Sequence, residues 1–325
     1  MKVKVLNDKE LAFMEQFFQM TQKELLMAMK GYLEQRYDNV IATKDYVVAI
    51  GDIPIALVAH LDTVFKYPPE EIYYDRVKNV MWSPAGLGAD DRAGVYAIAQ
   101  ILKANLRPTV ILTTEEEKGC IGAFNLVCDI KDAPTDLKYI IELDRQGADD
   151  CVFYSCDNTE FEEYIEDFGF RTSIGSYSDI SAICPQWKVA GVNLSIGYID
   201  EHSYSETLHI THLFNTIHKV KKMLKKANNA PYFEYIEQIS LSKKAFDLTK
   251  SLSKKKCGKC GKEDYSYNLY PVKVKEKDHT YYCPDCIASD PDVHWCVICG
   301  EPFYKKGLVE DASGIVCCEE CLNKW

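Results

Sequence analysis

Histidine and carboxylate residues recur in five short segments of this sequence, in the types and spacing that bind divalent metal ions. The segments are Val58-Ala-His-Leu-Asp-Thr63, Gly88-Ala-Asp-Asp-Arg-Ala-Gly94, Thr113-Thr-Glu-Glu-Glu-Lys-Gly119, Ile140-Ile-Glu-Leu-Asp144 and Asp200-Glu-His-Ser-Tyr-Ser-Glu206. Imidazole and carboxylate groups together are the ligands of hydrolytic zinc. Taken alone, each segment also fits a buried histidine, a solvated acidic run or a helix cap. Five together favour a metal centre.

The order of these segments resembles that of the co-catalytic di-zinc exopeptidases, the superfamily of peptidase T, TET-type aminopeptidases and zinc leucyl aminopeptidases. His-Leu-Asp at 60–62 matches the family's HxD, and Gly-Ala-Asp-Asp-Arg at 88–92 is similar to its Asp-Asp-Arg segment. Glu-Glu-Lys-Gly-Cys-Ile-Gly-Ala at 116–123 and His-Ser-Tyr-Ser-Glu at 202–206 resemble two further motifs. The resemblance therefore covers roughly His60 to Glu206.

The resemblance implies a ligand set for two metal ions. Asp90 is the implied bridge between the ions. His60 and Asp144 complete one site, and Glu117 and His202 complete the other. The expected ions are two catalytic Zn²⁺, with Mn²⁺ or Co²⁺ as alternatives. The family usually has a cis peptide bond after the bridging aspartate.

The same resemblance implies two residues that act on protons. Glu116 is the implied general base, and Asp62 orients His60 through its second ring nitrogen. Two metal ions about 3.5–4 Å apart polarise a carbonyl and acidify a bridging water, whose proton a non-ligating carboxylate can pass to the leaving amine. Glu115 receives no role. Arg92 and Arg145 adjoin ligands, and contact with substrate or a surface ion pair are equal alternatives.

The chain around these segments alternates apolar strand patterns with helical patterns. We predict one or two helices between Asp8 and Arg36, paired strands at Asp45–Gly51 and Ile53–His60, and an extended, solvent-facing segment at Glu71–Trp82. Later elements are predicted at Asp90–Lys103, Thr109–Thr114, Gly119–Val127, Lys138–Asp144, Cys151–Ser155, Phe161–Phe168, Val192–Gly197, Thr211–Ala227 and Tyr232–Leu252. This pattern predicts an α/β fold with a mostly parallel central sheet covered by helices on both faces. Ligands of such sheets bind beyond the carboxyl ends of the strands.

Nine of the 14 cysteines lie between Cys257 and Cys321, and eight of them form four CxxC pairs. The pairs are Cys257/Cys260, Cys283/Cys286, Cys296/Cys299 and Cys318/Cys321. This spacing predicts two structural zinc sites of four cysteines each, in a small module that resembles tandem zinc ribbons or LIM-like fingers. Pairing in sequence order is the simplest arrangement, and a cross-braced one is the alternative. Cys317 is an alternative to Cys318, and His279 and His294 are reserve ligands.

Length and composition set the remaining expectations. A chain of 325 residues predicts two domains, which we place at 1–250 (catalytic) and 251–325 (zinc-binding). A net charge of −11 argues against nucleic acid as a partner. The absence of an apolar signal or membrane-spanning stretch predicts a cytoplasmic protein.

The predicted function is hydrolysis of a peptide or small amide, most simply by an aminopeptidase. The two alternatives are a deacylase of small N-acyl compounds and a non-catalytic adaptor. The cysteine-rich tail either packs as a structural module or binds a protein partner.

Overall fold

The computed structural model describes residues 4–237, 254–265, 269–275, 278–283, 286–287, 289–295, 302–310 and 316–318. The chain divides into two compact units, Met1–Gln238 and Ile239–Trp325. The boundary predicted near Lys250 lies outside the described residues. Among the described residues, no helix has the length and apolar character needed to cross a membrane.

The first unit alternates helices and strands over the described residues. Its α-helices are α1 (Asp8–Phe18), α2 (Gln22–Glu34), α3 (Ala89–Leu102), α4 (Ile121–Asp129), α5 (Thr159–Glu166), α6 (Asp179–Trp187) and α7 (Ile210–Lys226). Its strands are β1 (Val40–Ala42), β2 (Tyr46–Ala49), β3 (Ile53–His60), β4 (Tyr73–Asp75), β5 (Val80–Trp82), β6 (Pro108–Thr113), β7 (Tyr139–Arg145), β8 (Asp150–Val152), β9 (Arg171–Thr172), β10 (Gly191–Ser195), β11 (Tyr198–Ile199) and β12 (Thr207–His209).

The N-terminal helical segment forms two helices because the sequence contains two start signals. The Asn7 side chain accepts a hydrogen bond from the Glu10 amide, and the Glu10 carboxylate accepts one from the Asn7 amide, so that α1 begins with a capping box. Thr21 and Glu24 form the same reciprocal pair at the start of α2. The second box ends the first helix and starts the second.

Eight strands form the central sheet in the order β1-β2-β6-β3-β7-β10-β8-β9. The centre is parallel: β3 pairs in parallel with both β6 and β7, and β10 pairs in parallel with β7. Antiparallel pairs β1–β2, β2–β6 and β10–β8 flank this centre. The predicted mostly parallel sheet is therefore confirmed.

Helices cover both faces of this sheet. Alternate residues of β3 divide between two cores, with Leu57 in one and Val58 in the other. Helices α1, α2, α3, α5 and α7 contribute to the Leu57 core, and α4 and α6 contribute to the Val58 core. The alternation follows from the two-residue period of a strand. Burial on both faces explains why the central residues of β3 and β6 are apolar.

Three local predictions were wrong. Strands β2 and β3 do not pair with each other, because β6 lies between them and bonds to both. The 71–82 segment is not simply solvent-facing: β4 and β5 join β11 and β12 in a four-stranded antiparallel sheet, and Met81 is fully buried. The predicted helix from Tyr232 begins instead as extended chain, with Glu234 and Glu237 bridging antiparallel to Val189 and Cys156. The remainder of that predicted helix lies outside the described residues.

The described part of the second unit is built from short strands. They are β13 (Lys254–Lys256), β14 (Glu263–Tyr265), β15 (Tyr270–Lys275), β16 (Asp278–Tyr282), β17 (Val293–Trp295), β18 (Pro302–Tyr304), β19 (Leu308–Glu310) and β20 (Val316–Cys318). Strands β13–β14 and β19–β20 form two-stranded ribbons, and β16-β15-β18-β17 form a four-stranded sheet.

Candidate metal centre

His60, Asp90 and Asp144 form the first group of donor atoms. His60 ends β3, Asp144 is the sixth residue of β7, and Asp90 lies in the first turn of α3. The His60 Nε2 atom is 3.0 Å from Asp90 Oδ1 and 3.4 Å from Asp144 Oδ1. Because β3 and β7 are parallel neighbours, their carboxyl ends bring these side chains to one edge of the sheet.

Asp90, Glu117 and His202 form the second group. The His202 Nε2 atom is 3.1 Å from Asp90 Oδ2 and 3.0 Å from Glu117 Oε2. Glu117 follows β6, and His202 lies in the connection between β11 and β12 with a left-handed φ of 61°. Within each group the donor atoms lie within 4.8 Å of one another. The two oxygens of Asp90 therefore face two separate donor groups.

Asp62 connects the first group to the segment that carries Glu116 and Glu117. Its Oδ1 atom is 3.3 Å from His60 Nδ1 and accepts a hydrogen bond of 3.0 Å from the Glu116 amide. Its Oδ2 atom accepts one of 3.1 Å from the Glu117 amide. One carboxylate thus fixes the His60 ring and the backbone of both glutamates.

The backbone bends sharply where Glu116 and Glu117 take different directions. The preceding residue, Glu115, has a φ of 57° and Cys120 has one of 55°. Glu117 faces Asp90, whereas Glu116 belongs to neither donor group and lines the adjacent cleft. The Cys120 thiol lies 3.4 Å from Glu116 Oε1 as a hydrogen-bond donor. Glu116 is therefore a carboxylate beside the donor atoms that takes part in neither group.

Glu206 binds the backbone that carries Asp90, although the sequence analysis gave it no role. It is fully buried, and its two oxygens accept hydrogen bonds of 3.0 and 3.1 Å from the amides of Ala89 and Asp90. Gly88 precedes them with a φ of 67°, and the Asp90–Asp91 peptide bond is cis, as the resemblance implies. The terminal glutamate of the 202–206 motif was the signal for this contact.

Asp144 also has supporting residues on neighbouring elements. Ser178 Oγ donates to its Oδ2 atom and Tyr198 OH to its Oδ1 atom, both at 3.1 Å. The Asn193 side chain accepts from the Asp144 amide and donates to its carbonyl. Ser178 is the N-cap of α6. The segment Ser178-Asp179 therefore both caps a helix and contacts the site.

The electrostatics of the cluster match a divalent cation. Burial, followed by the charge of Asp90, raises the pKa of Asp144 well above its usual range and that of Glu117 to about 7. Burial disfavours a charged His60, but Asp144 and its other carboxylate partners outweigh it and raise the His60 pKa well above its ordinary value. The hydrogen bond to Asp90 raises the pKa of His202 to about 9. Carboxylates that lie this close together repel one another unless positive charge lies between them. The carboxylate oxygens and imidazole nitrogens of the two groups are donors that suit Zn²⁺, Mn²⁺ or Co²⁺.

The second unit brings four cysteines together: Cys257, Cys260, Cys283 and Cys286, whose sulfur atoms lie within 4.8 Å of one another. Burial raises the pKa of Cys257, but hydrogen bonds from the backbone amides, first that of Cys260 and then that of Cys283, outweigh it and lower the pKa to about 6. Burial, followed by the neighbouring Cys283, raises the pKa of Cys286 to about 12. Four clustered cysteine sulfurs are the donor set of structural zinc sites.

The other predicted cysteine ligands are Cys296, Cys299, Cys318 and Cys321. Cys318 is buried in β20, and the other three lie outside the described residues.

The remaining residues noted in the sequence have identifiable positions. Glu115 accepts from Gln22 Nε2 and pairs with Lys118, on the outer side of the bend. Arg92 is buried and donates through Nη1 to the Phe17 carbonyl at 3.0 Å, so that it joins α3 to the end of α1. Arg145 lines the cleft beside Asp144.

No family model matches the sequence, and no curated protein matches it. Solved structures do match. Aminopeptidase PepT from Bacillus cereus aligns with a TM-score of 0.54 and 14% identity, over 69% of this chain and 99% of that one. A tripeptidase from Staphylococcus aureus gives 0.54 and 14%, over 70% and 100% of the two chains.

The chain shares the fold of these peptidases. A TET aminopeptidase from a marine-sediment thaumarchaeon has the same fold, with a TM-score of 0.50 and 15% identity over 68% of this chain and 97% of that one. At such identities the likeness establishes the α/β architecture.

Proposed function

We propose that the first unit is a metal-dependent exopeptidase that removes residues from the N-terminus of peptides. The observation that carries this proposal is the position of Asp90, whose two oxygens lie 3.0 and 3.1 Å from the Nε2 atoms of His60 and His202. A carboxylate shared between two donor groups is the arrangement that holds two cations close together. His60, Asp90 and Asp144 would hold one ion, and Asp90, Glu117 and His202 the other. The fold shared with aminopeptidases supports the proposal.

Two bound metal ions would supply Lewis-acid activation of the peptide carbonyl and of an attacking water. The residues of the chain supply the proton transfer. The Glu116 carboxylate, which lines the cleft next to both donor groups, would take the proton of the water and deliver it to the leaving nitrogen. Asp62 would hold the His60 ring through Nδ1 while it fixes the Glu116 amide.

Two cavities flank the donor groups and support removal of a terminal residue. A cleft of about 140 Å³ is lined on one side by Asp144, Arg145 and Tyr177. A groove of about 690 Å³ starts at Asp62 and Glu117 and runs between the 63–69 segment and the α1–α2 connection. An exopeptidase must enclose one residue and leave room for the rest of the chain. The small cleft fits the single residue, and the groove fits the remainder of the peptide.

For the second unit we propose two structural zinc ions. Cys257, Cys260, Cys283 and Cys286 would hold the first, which agrees with pairing in sequence order. Cys296, Cys299, Cys318 and Cys321 are the proposed ligands of the second. Closed sites of this kind stabilise small modules that have little apolar core. We also propose that this module offers a surface to a protein partner.

The direct test of the catalytic proposal is Glu116→Gln, with Glu115→Gln as the matched control. Glu116→Gln removes the proton acceptor but no proposed ligand. We therefore expect metal content near that of the wild type and a fall in kcat of about 10²–10⁴-fold. Glu115→Gln makes the same chemical change at the neighbouring residue, outside both donor groups, and should retain most of the activity.

Unblocked and N-acetylated peptides should be compared in the same assay. Equal turnover by the wild type and Glu116→Gln would remove Glu116 from the mechanism. Faster cleavage of blocked peptides would favour a deacylase.

A further inference from the structure

Arg145 lines the small cleft with a cationic side chain. In the sequence it directly follows Asp144, a proposed metal ligand. It ends β7 one residue after Asp144, and the cleft is also lined by Tyr154, Ser176 and Tyr177. The proposed mechanism does not use Arg145. The sequence left open whether it contacts substrate or forms a surface ion pair.

The contacts of Arg145 exclude the ion-pair alternative. Its Nη2 group donates to Ser173 Oγ at 3.3 Å and to the Ile174 carbonyl at 3.1 Å, and both acceptors are uncharged. Among the described residues no carboxylate forms a salt bridge with it. Its Nε–H is buried and has no hydrogen-bond partner within the described part of the chain. The guanidinium is thus held in place by the 173–174 backbone and serine, with charge and a donor group left unmatched.

Gly175 makes room for this arrangement. A Cβ atom at Gly175 would lie 3.0 Å from Val152 Cγ1, 3.2 Å from Tyr154 Cε1 and 3.5 Å, an ordinary contact distance, from Arg145 Nη1. Gly175 lines the cleft, so that the lack of a side chain leaves this part of the wall beside the guanidinium uncovered. An anchored guanidinium that lines a cavity and has no carboxylate partner within the described part of the chain suits a carboxylate.

The charge of the loaded site makes an anion acceptable there. The five proposed ligands contribute three carboxylates and two imidazoles, and two divalent ions carry four positive charges. The loaded donor groups are therefore net positive by one, Arg145 adds one positive charge, and the carboxylates of Glu116 and Glu201, which also line the cleft, subtract two. With the ions bound the cleft carries no net charge, and Arg145 is the position at which it offers an anion a cationic side chain.

We propose that Arg145 determines substrate specificity, and that the small cleft takes peptides whose N-terminal residue is aspartate or glutamate. The inference rests on the proposed aminopeptidase function, because the small cleft is assigned to the N-terminal residue on that basis. Arg145 would bind the side-chain carboxylate of that residue and hold the scissile bond at the donor groups.

The test compares peptides that differ only in the first residue (glutamate, aspartate, glutamine or leucine), using the metal-loaded full chain. The variants are Arg145→Met, Arg145→Lys and the control Arg171→Met, which removes the same charge from an exposed position in β9. We expect the wild type to prefer glutamate over glutamine by at least about tenfold in kcat/KM, mainly through KM. Arg145→Met should abolish that preference, Arg145→Lys should restore part of it, and Arg171→Met should leave it intact.

Calorimetric binding of free glutamate and leucine provides a readout that does not depend on turnover. Wild type should bind glutamate at least about tenfold more tightly than Arg145→Met does. Equal affinity of the two proteins for glutamate, or a wild-type preference for leucine peptides, would overturn the specificity assignment while the aminopeptidase function stands. If the metal-loaded wild type hydrolyses none of the unblocked peptides, the proposed function is overturned instead. If peptides with an amidated C-terminus are no longer cleaved, Arg145 binds the terminal carboxylate of the substrate. That result would contradict both the aminopeptidase function and the specificity for an acidic N-terminal residue.

Discussion

At the scale of single residues, the site depends on side chains that hold the proposed ligands. Glu206 is the clearest example, because it is fully buried and its carboxylate binds the amides of Ala89 and Asp90. Burial raises its pKa to about 7 against the opposing effect of those amides. A buried carboxylate is retained at such a position only where its hydrogen bonds are needed.

Glu206→Gln tests this supporting role. Glutamine keeps the shape of the side chain but offers one acceptor oxygen instead of two, so that one of the two amides loses its partner. We expect metal affinity to fall about 10–100-fold, as for other residues that orient ligands. The measurement is a metal titration, with the exposed α5 residue Glu163→Gln as control. Unchanged affinity would show that the two amides do not position Asp90.

The two imidazoles predict how metal binding depends on pH. Asp90 raises the pKa of His202 to about 9, and Asp144 and its neighbours raise that of His60. Each ring must lose its proton before it can bind a metal ion. Metal affinity should therefore rise as the pH increases from 6 to 9, with release of protons on binding.

The stability of the metal-free protein should change in the opposite direction. A histidine whose folded-state pKa is raised stabilises the fold below its unfolded pKa, and this contribution disappears as the pH rises through the folded value. For His202 the window runs from about 6.5 to about 9. Thermal unfolding with and without metal across this window checks both signs. A metal-free protein that gains stability between pH 7 and 9 would contradict the assignment.

At the scale of elements, one close approach positions the bend that carries Glu116. Gly122 in the first turn of α4 donates from its amide to the Thr114 carbonyl at 2.9 Å. A Cβ atom at Gly122 would lie 2.5 Å from that oxygen and 2.6 Å from the Asp45 carbonyl oxygen. Only glycine allows α4 to pack this closely against the end of β6.

Gly122→Ala should push α4 away from the bend. We expect a loss of about 1–3 kcal/mol in the free energy of unfolding, together with reduced turnover. Gly31→Ala is the matched control, since it makes the same substitution inside α2, where nothing lies within 4 Å of the new methyl group. That change should stabilise the protein by about 0.5–1 kcal/mol. Equal effects of the two substitutions on stability would show that the close approach is unimportant.

The sequence was informative wherever a pattern was local. Apolar periodicity located α3, α7, β3 and β7 to within a few residues, and the capping boxes at Asn7 and Thr21 explain the two N-terminal helices. The site residues could be proposed because five motifs resemble those of a family, and four of the five motifs stand at a strand end or a helix start. The carboxyl ends of neighbouring parallel strands lie at the same edge of a sheet, so that residues at these ends come close together.

Long-range pairing could not be predicted in the same way. The Gly51–Asp52 turn suggested a hairpin of β2 and β3, but β6, more than 40 residues later, inserts between them. Helix α6 was not predicted, because it is short and contains Pro185. Asn193 contacts Asp144 only through the tertiary fold, so its role had no sequence signal.

At the scale of the whole molecule, two kinds of proposed metal site occupy two separate compact units. The first unit offers carboxylates and imidazoles beside open cavities, and the second offers clustered thiols. The first donor set suits ions that must accept water and substrate, whereas four thiolates close the coordination of zinc. The net charge of −11 includes the uncompensated carboxylates of the first unit, which bound cations would partly neutralise.

The metal content of Asp90→Ala tests the central claim most directly. If Asp90 bridges two ions, its removal should lower the metal-to-protein ratio of the purified full chain by two, whereas His202→Ala should lower it by one. Asp167→Asn, at the exposed end of α5, serves as control, and thermal unfolding verifies that each variant is folded. We predict a wild-type ratio of four, a ratio of two for Asp90→Ala and unchanged content for the control. A folded Asp90→Ala protein that keeps the wild-type metal content would contradict the two-ion centre.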